Sequence, residues 1–131
     1  MTSGEGQVTS KTRVQSFRDL VVWRKSMLLV KQIYLLTRQF PRDERFGLMS
    51  QMRRAAVSIP SNIAEGQARH STGEFIQFIS NAEGSVAELE TQLEIATDLG
   101  YCTAAQSEVV FALAEEVRKM LNSLRQRLQG L

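Results

Sequence analysis

The sequence is poor in the residues that most often build metal centres and covalent crosslinks. Its 131 residues include one cysteine, Cys102, and one histidine, His70. A single cysteine excludes a disulfide within the chain, and a lone histidine with no neighbouring cysteine does not match the spacing of a zinc site. We therefore predict neither a metal nor a cofactor, and a reducing compartment, the cytoplasm, is the expected location.

Long apolar runs are also missing. No segment approaches the ~20 apolar residues that a membrane-spanning helix needs, and the N-terminal residues are polar, so neither a membrane span nor a secretory leader is predicted. Residues 1–15 show no hydrophobic periodicity, and we expect them to form a flexible arm. Residues 16–131 are then a single domain of ordinary size.

Proline is rare, and the rest of the chain shows helical rather than strand periodicity. Ser16 and Asp19 have the spacing of a capping box and predict a first helix that runs to Phe40, just before Pro41. A second helix is expected to begin near Asp43, after a tight turn. Its predicted apolar stripe is Phe46, Met49, Met52, Ala56, Ile59 and Ile63.

Two more capping-box patterns, Ser71 to Glu74 and Thr103 to Gln106, predict a third and a fourth helix. Gly100 is expected to end the third helix. Apolar residues of the third helix alternate at intervals of four and three, which is typical of a packed bundle. The sequence therefore predicts an all-α, antiparallel, up-and-down four-helix bundle. The predicted core residues are Phe75, Ile79, Ala82, Val86, Leu89, Leu93 and Ala96 in the third helix, and Val110, Leu113, Val117, Met120 and Leu124 in the fourth.

The first helix has more apolar surface than one bundle can bury. Thirteen of the 21 residues from Leu20 to Phe40 are large and apolar. Leaving one such side chain in water forgoes ~1.5–3 kcal/mol, and three or four of them rival a net stability of ~5–15 kcal/mol. We therefore predict a homo-oligomer with this helix at or near the interface. The alternative is that the extra surface covers the region of Pro60 within one chain.

Charged residues are sorted along the chain. Residues 71–100 contain six acidic residues and no base, whereas residues 19–40 contain four bases and one acid. One interpretation is that the bases pair with the acidic third helix, within a chain or between chains. The other is that oligomerisation repeats a basic surface that binds nucleic-acid phosphates. The candidate nucleic-acid contacts are Arg24, Lys25, Lys31, Arg53 and Arg54.

The stretch RRAAVSIPSNIAEG, residues 53–66, places a proline among small residues inside a helical pattern. Pro60 removes a backbone hydrogen bond, so the second helix is expected to kink there, or to stop and restart with Ser58 as a cap and Gly66 as its end. Asn62 can satisfy backbone groups freed by the proline. Small residues beside a kink favour a packing role over a ligand site.

Two adjacent arginines in this stretch need partners. A partly buried guanidinium requires a carboxylate, and Glu65 or an acid of the third helix is the expected partner of Arg53 or Arg54. Phosphate binding is the competing interpretation. The residues singled out as a structural motif are Ser58, Pro60, Asn62, Glu65 and Gly66.

A set of residues spread over most of the chain forms a recognisable pattern: Leu20, Trp23, Tyr34, Phe40-Pro41, Glu44 to Leu48, Gln51, Arg53 to Ala55, Ser58 to Gly66, Phe75, Phe78, Ala82 to Ser85 and Glu88. With this set, the chain from about Phe17 to Leu124 resembles the 23S rRNA intervening-sequence protein family, also called four-helix bundle proteins. The resemblance implies a bundle that assembles as a homopentamer. It also implies a link to RNA, because genes of this family were found within intervening sequences of ribosomal RNA genes.

We therefore expect a non-enzymatic homo-oligomer whose basic surface binds either nucleic acid or a nucleic-acid-handling protein. RNA is the expected nucleic acid. The alternative is a protein-interaction scaffold without nucleic-acid binding, in which the bases pair with the third helix. No glycine-rich phosphate loop or nucleophile–base pair indicates an enzyme. The expected partners are other copies of the chain, RNA or DNA, and a nucleic-acid-processing protein, but not a membrane.

Overall fold

A computed structural model describes residues 16–130, and the expected arm at residues 1–15 lies outside the described residues. The fold is all-α. Its four α-helices are α1 (Val21–Thr37), α2 (Leu48–Gln67), α3 (Thr72–Asp98) and α4 (Ala104–Leu128), and two short 3₁₀ helices cover Phe17–Asp19 and Arg42–Glu44. Between residues 16 and 130 there is no β-strand, which confirms the all-α prediction.

The first helix begins later than the capping box suggested. Ser16 and Asp19 do form reciprocal capping hydrogen bonds, but they cap the 3₁₀ helix Phe17–Asp19. Leu20 then takes an extended conformation, with φ −79° and ψ 126°, and interrupts the helical run. The prediction of one helix from Ser16 to Phe40 was therefore wrong at both ends, since α1 also ends at Thr37.

The connection between α1 and α2 is longer than the tight turn that was expected. Pro41 is extended, with φ −55° and ψ 147°, and the residues after it form a 3₁₀ turn instead of the start of α2. The side chain of Glu44 then accepts a hydrogen bond from the backbone N–H of Leu48 at 2.9 Å. This bond satisfies one of the free N–H groups at the start of α2, so the helix begins at Leu48 and not at Asp43.

Helix α2 runs through Pro60 without stopping. The alternative of a stop and restart was therefore wrong, and Ser58 does not cap a second helix. Its hydroxyl donates to the carbonyl oxygen of Ala55 at 2.9 Å, and Asn62 Nδ2 donates to the carbonyl oxygen of Ser58 at 2.7 Å. These bonds reach carbonyls on either side of Ala56, the residue whose carbonyl has no N–H donor from Pro60. Pro60 itself is buried.

Helix α3 follows its predicted limits and core. The Ser71 hydroxyl accepts from the backbone N–H of Glu74 at 3.1 Å, which caps the N-terminus. At the other end Gly100 adopts φ +77°, and the N–H groups of Gly100 and Tyr101 return to the carbonyls of Thr97 and Ala96. This is the Schellman motif, in which glycine accepts the left-handed conformation without strain. The predicted core residues of α3 are all buried except Phe75, which is partly buried.

Helix α4 has the predicted cap but a slightly different core stripe. Thr103 and Gln106 form a reciprocal capping box. Leu113 and Met120 are only partly buried, while Ala114 and Leu121 at the next positions are buried. Both sets follow helical spacing, and the small side chain of Ala114 made its burial difficult to predict.

The four helices enclose one core. Helix α1 packs against α2 and α4, helix α3 packs against the same two, and the contact between α2 and α3 is the most extensive. All four helices contribute fully buried aliphatic side chains, among them Leu29, Ile33, Ile59, Ile63, Leu89, Leu93 and Leu121. None of the described helices is both long and apolar enough to cross a membrane.

Candidate nucleic-acid interface

The connection between α1 and α2 is anchored by a tyrosine from a distant part of the chain. The Tyr101 hydroxyl donates to Glu44 Oε2 at 2.7 Å, and the Tyr101 ring packs on Phe40 with ring centroids 5.3 Å apart. Glu44 thus joins the start of α2 to the residues between α3 and α4. Because this point is fixed, Arg45 and Phe46 project into solvent at the corner of the bundle, and Phe46 is 90% exposed.

The same hydrogen bonds shift two pKa values in opposite directions. The Leu48 N–H and then the Tyr101 hydroxyl hold the pKa of Glu44 below its ordinary value of 4.5, because both donate to the charged carboxylate. Its hydrogen bond to Glu44 raises the pKa of Tyr101 above its ordinary value. Glu44 is therefore held as an anion and Tyr101 as a neutral donor.

Arg53 is bound by the C-terminal end of α1. Its Nε donates to Thr37 Oγ1 at 2.8 Å, its Nη2 donates to the carbonyl oxygen of Tyr34 at 3.2 Å, and its guanidinium lies 4.3 Å from the centre of the Tyr34 ring. The last carbonyls of a helix lack intrahelical partners and attract cations. Within one chain the expected carboxylate partner is absent, since no acid within residues 16–130 forms an ion pair with Arg53.

These elements form an open groove of about 440 Å³, which we call the basic–aromatic groove. It combines three guanidinium groups with two exposed aromatic rings, and none of the described residues that line it is acidic. Arg45 lies 5.5 Å from the centre of the Phe46 ring, and Arg54 is exposed. The lining residues are Tyr34, Arg45, Phe46, Met49, Ser50, Arg53, Arg54 and Val57.

The groove has the chemistry of a nucleic-acid contact. Guanidinium groups bind phosphate oxygens with paired N–H donors, and exposed aromatic rings stack on unpaired bases. The Arg53 guanidinium is partly satisfied by α1, whereas Arg45 and Arg54 have no carboxylate partner in the described part of the chain. Two of the three guanidinium groups therefore retain their full capacity for an external anion.

The other three candidate contacts lie elsewhere on α1. Lys25 forms an ion pair with Glu116 of α4 at 3.1 Å, and an Arg24 nitrogen donates to the carbonyl oxygen of Arg18 at 3.0 Å. Lys31 is exposed on the outer face of the helix. Arg53 and Arg54 are thus brought together with Arg45, while Arg24, Lys25 and Lys31 do not line the groove.

Two of the motif residues, Ser58 and Gly66, serve packing between α2 and α3. The Ser58 hydroxyl hydrogen-bonds the hydroxyl of Ser85. Gly66 does not end the helix as expected but is buried within it, and a Cβ there would lie 2.8 Å from Phe78 Cβ and 2.9 Å from Phe75 Cδ1. The missing side chain therefore allows the close approach of α3. Glu65 is exposed and forms no ion pair with another described residue.

The acidic third helix pairs with α4 rather than with the bases of α1 and α2. Arg125 Nε donates to Glu83 Oε1 at 2.8 Å, and Arg125 also donates to Asn122 Oδ1 at 2.6 Å. The pair of Glu83 with Arg125 is the one ion pair that α3 forms among the described residues. Within one described chain, the acids of α3 therefore do not neutralise the bases of α1 and α2.

The cysteine and the histidine take no part in the groove. Cys102 is buried with its sulfur 3.7 Å from Thr97 Oγ1, and His70 is exposed in the link between α2 and α3. No group of three or more His, Cys, Asp or Glu side chains within residues 16–130 is placed to hold a metal ion.

Sequence reasoning missed Tyr34, Arg45 and Phe46 as site residues. Phe46 was assigned to the core stripe of the second helix, since its spacing from Met49 fits a helix. It lies before α2 begins and is nearly fully exposed. The sequence feature that could have indicated the site is the adjacent pair of Arg45 and Phe46, a base beside an aromatic residue between two helices.

Comparison with known proteins agrees with this fold. The model of the 23S rRNA-intervening sequence protein family matches residues 18–123. A crystal structure of a protein of unknown function from the S23 ribosomal protein family of Bacteroides thetaiotaomicron VPI-5482 is similar, with a TM-score of 0.75 and 28% sequence identity. The similarity covers 81% of this chain and 96% of that one. No curated protein matches the chain. The chain belongs to the 23S rRNA-intervening sequence protein family.

Proposed function

We propose that this protein is a non-enzymatic, homo-oligomeric helical bundle that binds nucleic acid through the basic–aromatic groove, with RNA as the preferred ligand. The observation that carries the proposal is the convergence of Arg45, Arg53 and Arg54 on two exposed rings, without an acidic residue among the described lining residues. The described lining residues bring three like charges together with no carboxylate to neutralise them, whereas Arg125 outside the groove is paired with Glu83, so the groove attracts an external anion.

The preference for RNA is supported by the family, whose name refers to intervening sequences of 23S rRNA, and by the chemistry of the groove. Unpaired RNA bases are recognised by stacking on aromatic side chains or guanidinium planes. Phe46 offers such a ring at 90% exposure, and the guanidinium of Arg45 lies beside it. The groove is open and holds an exposed ring that can stack on an unpaired base, which favours a single strand over a duplex.

We also propose the antiparallel, up-and-down arrangement for the four helices. Lys25, near the start of α1, pairs with Glu116, and Gln39, just after its end, hydrogen-bonds Gln106 earlier in α4. Contacts that advance along α1 while they retreat along α4 support opposite helix directions. The short links at residues 68–71 and 99–103 support the same arrangement between successive helices.

The proposed oligomer, five copies by the family resemblance, is supported by the surface of α1. Val21, Leu28 and Leu35 are about half exposed in the single chain. Burying the rest of each side chain is worth roughly half of the ~1.5–3 kcal/mol that complete burial provides. Met27 and Trp23 instead lie beside Pro60, so the α1 surface is divided between covering that region and facing outward.

A salt titration of binding to single-stranded RNA, with DNA of the same sequence beside it, tests the proposed function. Displaced counterions make log Kd depend on log salt concentration, with a slope of about 0.7 for each phosphate contact to a single strand. We expect Arg45→Ala and Arg54→Ala each to weaken binding and to lower the slope by about 0.7, the value for one phosphate contact. Phe46→Ala should weaken binding with little change in slope, because it removes stacking only.

Arg118→Ala is the matched control, since Arg118 is an exposed arginine of α4 beside Glu115. It should leave both affinity and slope unchanged. Absence of binding at low salt, or binding that does not respond to salt, would refute phosphate contact and leave the protein-interaction scaffold as the better account.

A further inference from the structure

The outer face of α1 carries a narrow apolar line. Val21, Leu28 and Leu35 are spaced by seven residues and are 53%, 48% and 52% exposed. Seven residues make almost two full turns of an α-helix, so the three side chains project along one side, over ~21 Å. We call them the α1 ridge.

Two bases flank the α1 ridge. Lys31 lies three residues after Leu28 and four before Leu35, and Arg38 follows three residues after Leu35, so each is a surface neighbour of the ridge. Both are exposed, and neither forms an ion pair with another residue in the range 16–130. The ridge therefore presents apolar side chains beside unneutralised positive charge.

A surface of opposite charge lies between α3 and α4. It is an open groove of about 600 Å³, in which Ile95 is 43% exposed and Phe111 is partly buried. Glu90 and Glu94 border it, and neither side chain has a hydrogen bond or ion pair with the rest of the described chain. We call this surface the acidic groove, and its lining residues are Ala87, Glu90, Thr91, Glu94, Ile95 and Phe111.

We propose that the α1 ridge of one copy docks into the acidic groove of a second copy, with Lys31 and Arg38 facing Glu90 and Glu94. The proposal rests on the homo-oligomer of the proposed function and names its interface. An apolar line flanked by bases meets an apolar groove bordered by acids, so both burial and charge favour the contact. Each surface lacks within its own chain the charge that the other supplies.

The two surfaces cannot meet within one chain, because α1 and α3 pack on the same two helices and not on each other. A two-fold contact of ridge on ridge would bring the bases of one α1 beside the bases of the other, and the repulsion between like charges opposes that contact. Docking of two different surfaces is a heterologous contact, and it leaves one free ridge and one free groove on every pair. Heterologous contacts form a ring where the rotation between successive copies closes, and a ring of five copies requires contacts of this kind.

Charge reversal on each side tests the pairing. We expect Lys31→Glu/Arg38→Glu to reduce the assembly to single copies in analytical ultracentrifugation, and Glu90→Lys/Glu94→Lys to do the same. The quadruple variant reverses both surfaces and should recover the mass of the unmodified assembly. Arg42→Glu/Arg69→Glu, in the links between helices, is the matched control for Lys31→Glu/Arg38→Glu, since it changes the net charge by the same amount and should leave the assembly intact. Circular dichroism checks that each variant keeps its helices.

The outcomes separate this proposal from the proposed function. An unmodified protein that sediments as one copy would refute both the assembly and this interface. An unmodified assembly that survives both reversals would refute the interface alone, as would a quadruple variant that stays dissociated while helical. RNA binding is measured separately at the basic–aromatic groove, to which none of the four reversed residues contributes.

Discussion

Gly66 allows α2 and α3 to approach each other closely, because it has a hydrogen in place of a side chain. It lies inside α2, where glycine is normally unfavourable by ~1 kcal/mol relative to alanine. A Cβ at this position would meet Phe78 Cβ at 2.8 Å, and that atom is fixed to the backbone of α3. The two helices would have to separate, and overpacking of this kind costs ~1–3 kcal/mol.

We therefore expect Gly66→Ala to lower the free energy of unfolding by up to about 2 kcal/mol, which is the overpacking cost less the ~1 kcal/mol gained in helix propensity. Urea denaturation at a fixed protein concentration measures the change. Gly84→Ala is the control, because Gly84 lies in α3 and a Cβ added there would meet no side chain or neighbouring helix within 4 Å. That change should raise stability by up to ~1 kcal/mol through helix propensity alone. Equal effects of the two substitutions would contradict the close-packing role of Gly66.

At the scale of the helix, the start of α2 depends on a charged side chain from outside it. Glu44 accepts from the Leu48 N–H, and this bond and the Tyr101 hydroxyl lower its pKa. Between that lowered pKa and 4.5, the unfolded chain binds more protons than the folded chain, so stability falls as the pH falls through this range. The contribution of Glu44 is present above pH 4.5 and is lost on acidification.

Glu44→Gln keeps an oxygen acceptor for Leu48 but removes the charge. We expect this variant to be less stable than the unmodified protein at about pH 7, and to lose less stability between about pH 7 and pH 3, as measured by urea denaturation at both values. Glu108→Gln, at an exposed position of α4, is the control and should keep the acid dependence of the unmodified protein. Identical acid dependence in the two variants would show that Glu44 is not the group responsible.

At the scale of the whole molecule, the apolar part of the proposed interface is testable apart from its charges. Leu28 and Leu35 are about half exposed within one chain, and the aliphatic stem of a lysine can cover the half that is buried. Leu28→Lys/Leu35→Lys should therefore leave the helical circular dichroism nearly unchanged. We expect the assembly to dissociate, because two desolvated ammonium groups would replace the buried side chains. Sedimentation velocity measures the result.

Gln126→Lys is the control for that experiment, since Gln126 is an exposed residue of α4 outside the α1 ridge and the acidic groove. It should sediment with the unmodified protein. An intact assembly of the Leu28→Lys/Leu35→Lys variant would place the interface on another face of the bundle, and the exposed apolar surface of α1 would then lose its explanation.

The amino-acid sequence by itself determined the helical class, the core stripe of α3 and the N-terminal caps of α3 and α4. These features depend on residues within one or two turns of each other, such as Thr103 with Gln106, so spacing along the chain is enough to predict them. Family membership was also predictable from local sequence, because the residues from Ser58 to Gly66 form an unbroken part of the family pattern. The excess apolar surface of α1 was also visible from its composition.

Only the tertiary structure decided what joins residues that are distant in the chain. Arg53 meets Thr37 and the Tyr34 carbonyl, and not the carboxylate that charge alone suggested, because α2 lies along the end of α1. Glu44 caps α2 with the help of Tyr101, which lies beyond α2 and α3 in the chain. The basic–aromatic groove exists for this reason: its position depends on where two helices end and cross, which local spacing does not encode.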